Sequence, residues 1–171
     1  MKIRDAVPAD AEAITAIYND AVANTTAIWN DTLIEPANRL TWLADRAKQG
    51  YPVLVAVDDS DTVVGFASFG DWRSWDGYRY TIEHSVYVRA DQRGAGIGKL
   101  MMIALIDRAR AIGKHIMVAG IEATNTGSMR LHEKLGFESA GVLRQVGMKF
   151  GTWLDLAFLT LALDTRPPPD A

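Results

Sequence analysis

The sequence contains no cysteine, and this absence excludes a thiol nucleophile, a disulfide and a cysteine-bound zinc ion. A chain without cysteine also fits a reducing compartment, so we expect the protein in the cytoplasm. Long apolar runs are missing as well: none approaches the roughly 20 residues that span a bilayer, and no basic-then-apolar signal pattern stands before residues 2–5. We therefore expect neither a membrane anchor nor a signal peptide.

An excess of positive charge is also missing, because 18 lysines and arginines face 21 acidic residues, for a formal net charge of −3. A nucleic acid or an anionic membrane therefore has little electrostatic support as a partner. The 171 residues suit one domain with a continuous core. We place that domain at residues 1–164 and expect a disordered tail at 165–171, where consecutive prolines cannot donate ladder hydrogen bonds.

The pattern of apolar residues predicts a mixed α/β domain. Alternating or continuous apolar runs predict strands at residues 2–5, 53–57, 63–69, 81–88, 116–122, 138–145 and 154–163. Apolar residues at helical spacing predict helices that begin near Pro8, cover 40–47, run from a glycine-rich turn to Gly113, and cover 127–135. We expect strands 81–88 and 116–122 to pair in parallel, because the third helix connects them.

The most informative stretch is residues 85–99, where an apolar strand runs through glycines into a helix. Glycines allow close backbone approach, and the free N–H groups at a helix start favour phosphate oxygens. Two common phosphate motifs fail here. A dinucleotide fingerprint needs glycine where Lys99 stands, and a P-loop needs glycine at Arg93 and Ser or Thr at Leu100. A purely structural glycine turn is the alternative interpretation.

Residues 93–98 match the R/Q-x-x-G-x-G/A pattern of the GNAT superfamily of N-acetyltransferases, and residues 125–137 resemble its second signature segment. The resemblance covers nearly the whole chain. It implies a mixed central sheet of about seven strands with splayed central strands and about four helices. It also implies acetyl-CoA as co-substrate, without a metal. The residues implied to hold acetyl-CoA are Val86, Tyr87, Val88, Arg93, Gly94, Ala95, Gly96, Ile97, Gly98, Lys99 and Asn125.

Each of these assignments has a plain structural alternative. Residues 86–88 suit a core strand, although the resemblance implies that their backbone pairs with the pantetheine amides. Asn125 precedes a predicted helix and suits an N-cap, a role compatible with binding.

Acetyl transfer from a thioester to an amine needs a neutral amine and a protonated leaving thiolate. Glu83, on the central strand, is our candidate base; a structural ion pair with Arg73 or Arg79 is the alternative. His132 stands where many GNAT enzymes have a tyrosine that protonates the thiolate, and a structural histidine is equally compatible. Strand alternation places His84 on the face opposite Glu83.

The substrate end is predicted at residues 71–80, where arginines and aromatics precede Glu83. Arginine donates a fork of hydrogen bonds, and tryptophan encloses apolar atoms, so a small amphiphilic ligand fits. A loop whose aromatics cover the core edge is the alternative. Segments 25–27, 70–73, 83–88, 131–137 and 149–155 together resemble the phosphinothricin acetyltransferase group. By resemblance the substrate contacts are Arg73, Ser74, Trp75, Glu83, His84 and Ser85, and Trp29 is a further candidate wall.

These observations predict an N-acetyltransferase for the α-amino group of a small amino acid, such as methionine sulfoximine, methionine sulfone or phosphinothricin. Two alternatives stay open: a peptide or protein N-terminal acetyltransferase, which needs an open groove, and a non-catalytic acetyl-CoA sensor. The apolar residues of 154–163 on both alternating faces also suggest a homodimer.

Overall fold

The computed structural model describes residues 1–169. Within that range, seven strands and four α-helices form the expected α/β domain. The strands are β1 (Lys2–Asp5), β2 (Val53–Val57), β3 (Val63–Asp71), β4 (Thr81–Val88), β5 (Ile116–Glu122), β6 (Glu138–Lys149) and β7 (Thr152–Ala162). The helices are α1 (Ala11–Asn24), α2 (Pro36–Lys48), α3 (Ile97–Ala111) and α4 (Thr126–Lys134).

The strands form one sheet in the order β1-β2-β3-β4-β5-β7-β6. Strands β4 and β5 pair in parallel, as predicted, and α3 makes the crossover between them. This pairing ends where Glu83 meets Val118. Beyond it, β4 continues to Val88 and β5 to Glu122 without pairing to each other. The sheet therefore opens just after Glu83, which confirms the implied splay.

Helices cover both faces of this sheet, so β2 is buried at every position. Leu54 belongs to the core cluster that contains Met101 of α3, whereas Val55 belongs to the cluster that contains Ile14 of α1. The same alternation runs along β4. Val86 packs towards α3 and Tyr87 towards α1. Neighbouring residues of β4 thus present their side chains to different layers of the fold.

Strand β6 is longer than the predicted 138–145, because a bulge hides its second half from pattern analysis. The pairing with β7 shifts register between Leu143 and Gly147. Inside this interval Gln145 has φ 51°, and its backbone N–H donates to the Asp155 carboxylate at 2.7 Å. Residues 144–146 of β6 lie opposite residue 155 of β7 alone, and such unpaired extra residues interrupt the regular strand pattern. The strand then resumes and ends at Lys149, beside the hairpin turn.

The segment after β7 contacts the domain through Arg166. Its guanidinium donates to the Gly113 carbonyl at 2.6 Å, pairs with Asp164 and lies 4.8 Å from the centre of the Tyr80 ring. A disordered tail at 165–171 stays a prediction, and its positions 170 and 171 lie outside the described residues. Among residues 1–169, no helix combines the length and apolar character needed to cross a membrane.

Candidate active site

A cavity of about 690 Å³ lies where β4 and β5 diverge. It is built by the ends of β4 and β5, the glycine-rich turn with the start of α3, the loop after β5 with the start of α4, and the last turns of α1 with the loop that follows. Of the eleven residues predicted to hold acetyl-CoA, all except Ala95 line the cavity. The sequence analysis did not assign the remaining lining residues, which are Ala21, Thr25, Thr26, Ala27, Gln92, Glu122, Thr124, Gly127, Ser128 and Leu131.

The glycine-rich turn has the backbone expected of an anion site. Gly94 has φ 81° and Gly96 has φ 80°, a left-handed conformation that favours glycine. A Cβ at either position would meet no atom within 4 Å, so the space beside the turn is open. Gly96 is the N-cap of α3, whose first backbone N–H groups lack helical acceptors. The turn therefore presents unpaired donors to the cavity, as an anionic ligand requires.

Arg93 and Asn125 are held at the rim by contacts within the protein. Arg93 donates through Nε to the Val88 carbonyl at 3.2 Å, and its guanidinium lies 3.3 Å from the Asp20 carboxylate. Asn125 Oδ1 accepts the Ser128 backbone N–H at 3.0 Å, which confirms the N-cap interpretation. Because Asn125 also lines the cavity, capping leaves its amide NH₂ group available for a ligand.

Glu83 is half-buried at the point where the sheet opens. Its Oε1 lies 3.0 Å from the position that a Cβ would occupy on Gly120 of β5, so the missing side chain at 120 leaves room for the carboxylate. Burial raises the pKa of Glu83, and the positive charge of Arg73 opposes that rise. Within residues 1–169, no arginine or lysine forms an ion pair with Glu83 within 4.0 Å. A free, partly desolvated carboxylate of this kind suits a general base.

On the other face of the opening, His84 and His132 form a stacked pair with ring centres 5.0 Å apart. His132 Nδ1 lies 2.8 Å from the Ser128 carbonyl, so it must carry a proton and donate it. His132 Nε2 is then an acceptor, and it receives the Nε2–H of His84 at 3.0 Å. His84 Nδ1 is left as a buried lone pair without a hydrogen-bond partner among residues 1–169.

This arrangement changes the role that the sequence suggested for His132. Its side chain is 1% exposed and both ring nitrogens already have partners, so it does not meet the cavity directly. Burial lowers the pKa of His132, and burial together with its partner lowers the pKa of His84 to about 3. The one vacant protonation position of the pair is His84 Nδ1.

We expect this neutral pair to make folding stability fall in acid. An unfolded histidine titrates near pH 6.5, so unfolding takes up protons between about pH 6.5 and 3 and stability drops as pH falls, by about 1.4 kcal/mol per pH unit and proton. Urea unfolding at pH 7.5, 6.5 and 5.5 measures how steeply the free energy of unfolding changes with pH, and this slope should be smaller in His84→Gln.

The proton positions of the pair are tested separately. ¹⁵N NMR should show protons on His132 Nδ1 and His84 Nε2; the opposite tautomers would contradict the assignment.

The loop proposed for the substrate is open in a single chain. Arg73, Ser74 and Trp75 are exposed, and Trp75 keeps 71% of its surface accessible. Trp72, by contrast, packs edge-on against Phe158 of β7 and lies under the Arg73 guanidinium. Trp72 thus packs on Phe158 of β7, while Trp75 stays exposed. The sequence suggested that this loop encloses a small substrate. In a single chain the loop does not surround such a substrate by itself.

Two other predicted substrate contacts occupy different places. Ser85 lies on β4 opposite Ser68 of β3 and does not line the cavity. Trp29 packs its ring against Gly147 of β6, where an added Cβ would overlap it, and donates through Nε1 to the Thr26 carbonyl at 2.8 Å. Trp29 therefore supports the cavity wall from behind, because Thr26 lines the cavity and Trp29 does not. The role of Trp29 as a substrate wall stays a prediction.

The open sheet, the glycine-rich anion loop and the cavity between them are those of an N-acetyltransferase fold. Residues 14–137 match the acetyltransferase (GNAT) family model, and the chain belongs to that family. It is 60% identical over 168 residues to the L-methionine sulfoximine/L-methionine sulfone acetyltransferase of Pseudomonas aeruginosa, covering 98% of each chain.

Solved structures agree with this assignment. An acetyltransferase from Salmonella typhimurium, determined with its cofactor acetyl-CoA, is 55% identical and superposes with a TM-score of 0.97 over 100% of this chain and 98% of that one. A phosphinothricin acetyltransferase from Sinorhizobium meliloti in complex with acetyl-CoA is 36% identical, with a TM-score of 0.94 over 98% and 92% of the two chains. Similarity to both substrate groups was expected from the sequence.

Proposed function

We propose that this protein transfers the acetyl group of acetyl-CoA to the α-amino group of a small amino acid, with methionine sulfoximine and methionine sulfone as the preferred class and phosphinothricin as a poorer one. The observation that carries the proposal is the unpaired Glu83 carboxylate where β4 and β5 separate; Glu83 does not itself line the cavity, and the β4 residues that do begin three positions later, at Val86. The higher identity to the methionine sulfoximine/sulfone enzyme than to the phosphinothricin enzyme supports the ranking. The cytoplasm is the compartment that we propose.

The residues around the cavity fit acetyl-CoA. Gly94, Gly96 and the first N–H groups of α3 would hold its pyrophosphate, because they present donors at the positive end of a helix. The edge of β4 that faces away from β3 loses its partner after Glu83, so residues 86–88 are free to pair with the pantetheine amides like an added strand. Bound there, acetyl-CoA supplies an activated carbonyl.

Glu83 would take the proton from the substrate ammonium, directly or through one water, so that the amine can attack. Burial raises its pKa and makes it a better base than an ordinary carboxylate, while the positive charge of Arg73 opposes that rise. As the C–N bond forms and the C–S bond breaks, one proton leaves the amine and one is taken up by the thiolate. The neutral histidine pair carries no proton on His84 Nδ1 to donate, so the thiolate takes up its proton from solvent, and His132 acts as the positioning partner of His84.

The quaternary arrangement that we propose is a homodimer through the β6–β7 hairpin. Strand β7, where the sequence suggested contact, buries Leu159 and Leu161 within its own chain. The exposed apolar side chains lie instead on the outer strand β6, its turn and the start of β7, and these are Val142, Leu143, Val146, Met148, Phe150 and Trp153. An exposed apolar sheet edge of this kind can pack against the same edge of a second copy of the chain.

Light scattering after gel filtration tests the proposed homodimer. The wild type should be a dimer and Trp153→Lys should yield monomers; a monomeric wild type would contradict the proposal.

The test of the activity is acetyl-CoA-dependent thiol release, read with a thiol reagent that this cysteine-free chain cannot consume. The acceptors are methionine sulfoximine, methionine sulfone, phosphinothricin, a peptide with a free N-terminus and a polyamine. We expect saturable turnover on the first three, in that order of kcat/KM. Turnover on the peptide alone would favour the N-terminal acetyltransferase alternative. Acetyl-CoA binding without turnover on any acceptor would favour the sensor.

A further inference from the structure

Lys149, the last residue of β6, is a buried lysine that the proposed chemistry does not use. Only 2% of its surface is exposed, and burial lowers its pKa while the charge of Asp31 opposes that effect. Within residues 1–169, no carboxylate lies within ion-pair distance of its ammonium. A buried ammonium without a counter-ion is costly unless other groups satisfy it. The contacts of Lys149 therefore indicate what holds it in place.

Those contacts are two backbone carbonyls at the ends of one short segment. Lys149 Nζ donates short hydrogen bonds to the carbonyls of Val22 and Ile28, and it lies 5.0 Å from the centre of the Phe150 ring. Val22 is in the last turn of α1, where carbonyls lack helical donors and a cation complements the helix dipole. Ile28 belongs to the loop that follows α1. The ammonium thus joins the end of α1 to the loop that follows it. In sequence, Lys149 is 127 positions from Val22 and 121 positions from Ile28.

The segment between these two carbonyls forms part of the cavity. Thr25, Thr26 and Ala27 line it opposite the glycine-rich turn. Thr25 is itself tied to α1, because its Oγ1 donates to the Ala21 carbonyl at 2.6 Å. With Lys149 at both ends of the segment, the backbone of this wall has little freedom to move away from a ligand.

A second contact from the same end of β6 acts on the same wall. Trp29 lies flat against Gly147, and its Nε1–H donates to the Thr26 carbonyl. Any side chain at position 147 would overlap the Trp29 ring. The absence of a side chain at 147 and the buried ammonium at 149 are therefore two independent supports for one loop.

We propose that Lys149 is a positioning residue for the acetyl-CoA cavity, which it keeps in a binding-ready shape by fixing residues 25–27. This inference rests on the proposed function, because the wall matters to activity only if acetyl-CoA occupies the cavity. A rigid wall reduces the ordering cost of binding, so its loss should weaken affinity for acetyl-CoA and leave the amino-acid site unaffected.

The test replaces Lys149 by methionine, which keeps an unbranched apolar side chain and removes the three donors. We expect the Kd of acetyl-CoA, measured by calorimetry, to rise by about tenfold. Amide hydrogen exchange at residues 25–28 should become faster, while the KM of the amino acid at saturating acetyl-CoA stays within about twofold of the wild type. Lys48→Met, at an exposed lysine of α2, is the matched control and should change none of these.

A second variant keeps the proposal testable if Lys149→Met folds poorly. Gly147→Ala leaves the ammonium in place and displaces Trp29, so it should raise the Kd of acetyl-CoA in the same direction. A lower melting temperature with unchanged Kd and unchanged exchange at 25–28 in both variants would overturn the proposal. If the wild type fails to bind acetyl-CoA, the proposed function fails, and the exchange measurement still decides whether Lys149 holds the wall.

Discussion

Replacing Glu83 by glutamine is expected to lower kcat for methionine sulfoximine by a factor of about 10²–10⁴, the usual contribution of a positioned general base. Glutamine has nearly the same shape, so the space beside Gly120 stays filled and the sheet keeps its opening. What is lost is the acceptor for the ammonium proton. The decrease should appear in kcat because Glu83 does not line the cavity proposed for acetyl-CoA.

Two measurements separate this effect from general damage. The Kd of acetyl-CoA should stay within about twofold in Glu83→Gln, because the lost interaction is made only during reaction. Glu138→Gln, at an exposed position of β6, should keep both kcat and Kd. The pH profile gives a further check: the acid limb of kcat/KM should lie above the ordinary pKa of glutamate, in the direction that burial imposes. Full turnover in Glu83→Gln would remove it as the base.

The parts of this molecule that were predictable depend on short stretches of sequence. A strand such as β4 can be identified from the residue types at eight consecutive positions. The glycine-rich turn combines positive φ values and a helix start within a few residues, so its anion-binding geometry follows from local chemistry. The N-cap role of Asn125 is local as well, since its partner is Ser128. Placing Glu83 at the opening of the sheet relied on the family resemblance in addition to the strand pattern.

The remaining features depend on contacts between distant positions. His84 and His132 lie 48 positions apart, and only their distance in space fixes which nitrogen carries each proton. The family resemblance suggested His132 as the acid, and the sequence could not show that both of its ring nitrogens have partners within the protein. Lys149 resembles a surface lysine in sequence, and its burial is tied to the carbonyls of Val22 and Ile28, which lie 127 and 121 positions away. The exposure of the loop at 71–80 was equally hidden, because Trp72 packs against Phe158, which is distant in sequence.

Replacing Gly96 by valine is expected to weaken acetyl-CoA binding by about 10-fold to 150-fold, which corresponds to the roughly 1.5–3 kcal/mol of a hydrogen bond to a charged group. A β-branched residue resists φ 80°, so the N-cap of α3 must change conformation and its N–H groups turn away from the ligand. The new side chain would also occupy the open space beside the turn. Calorimetric titration with acetyl-CoA measures the loss.

Gly50→Val separates backbone strain from loss of the anion site. Gly50 follows α2, has φ 71° and likewise meets no atom within 4 Å of an added Cβ, but it does not line the cavity. Both variants should therefore lose comparable stability, by about 1–3 kcal/mol, because valine is strained at each position. Only Gly96→Val should lose affinity. Equal affinities for acetyl-CoA in the two variants would mean that the glycine-rich turn shapes the fold without holding the phosphates, and the binding site would then have to be sought elsewhere in the cavity.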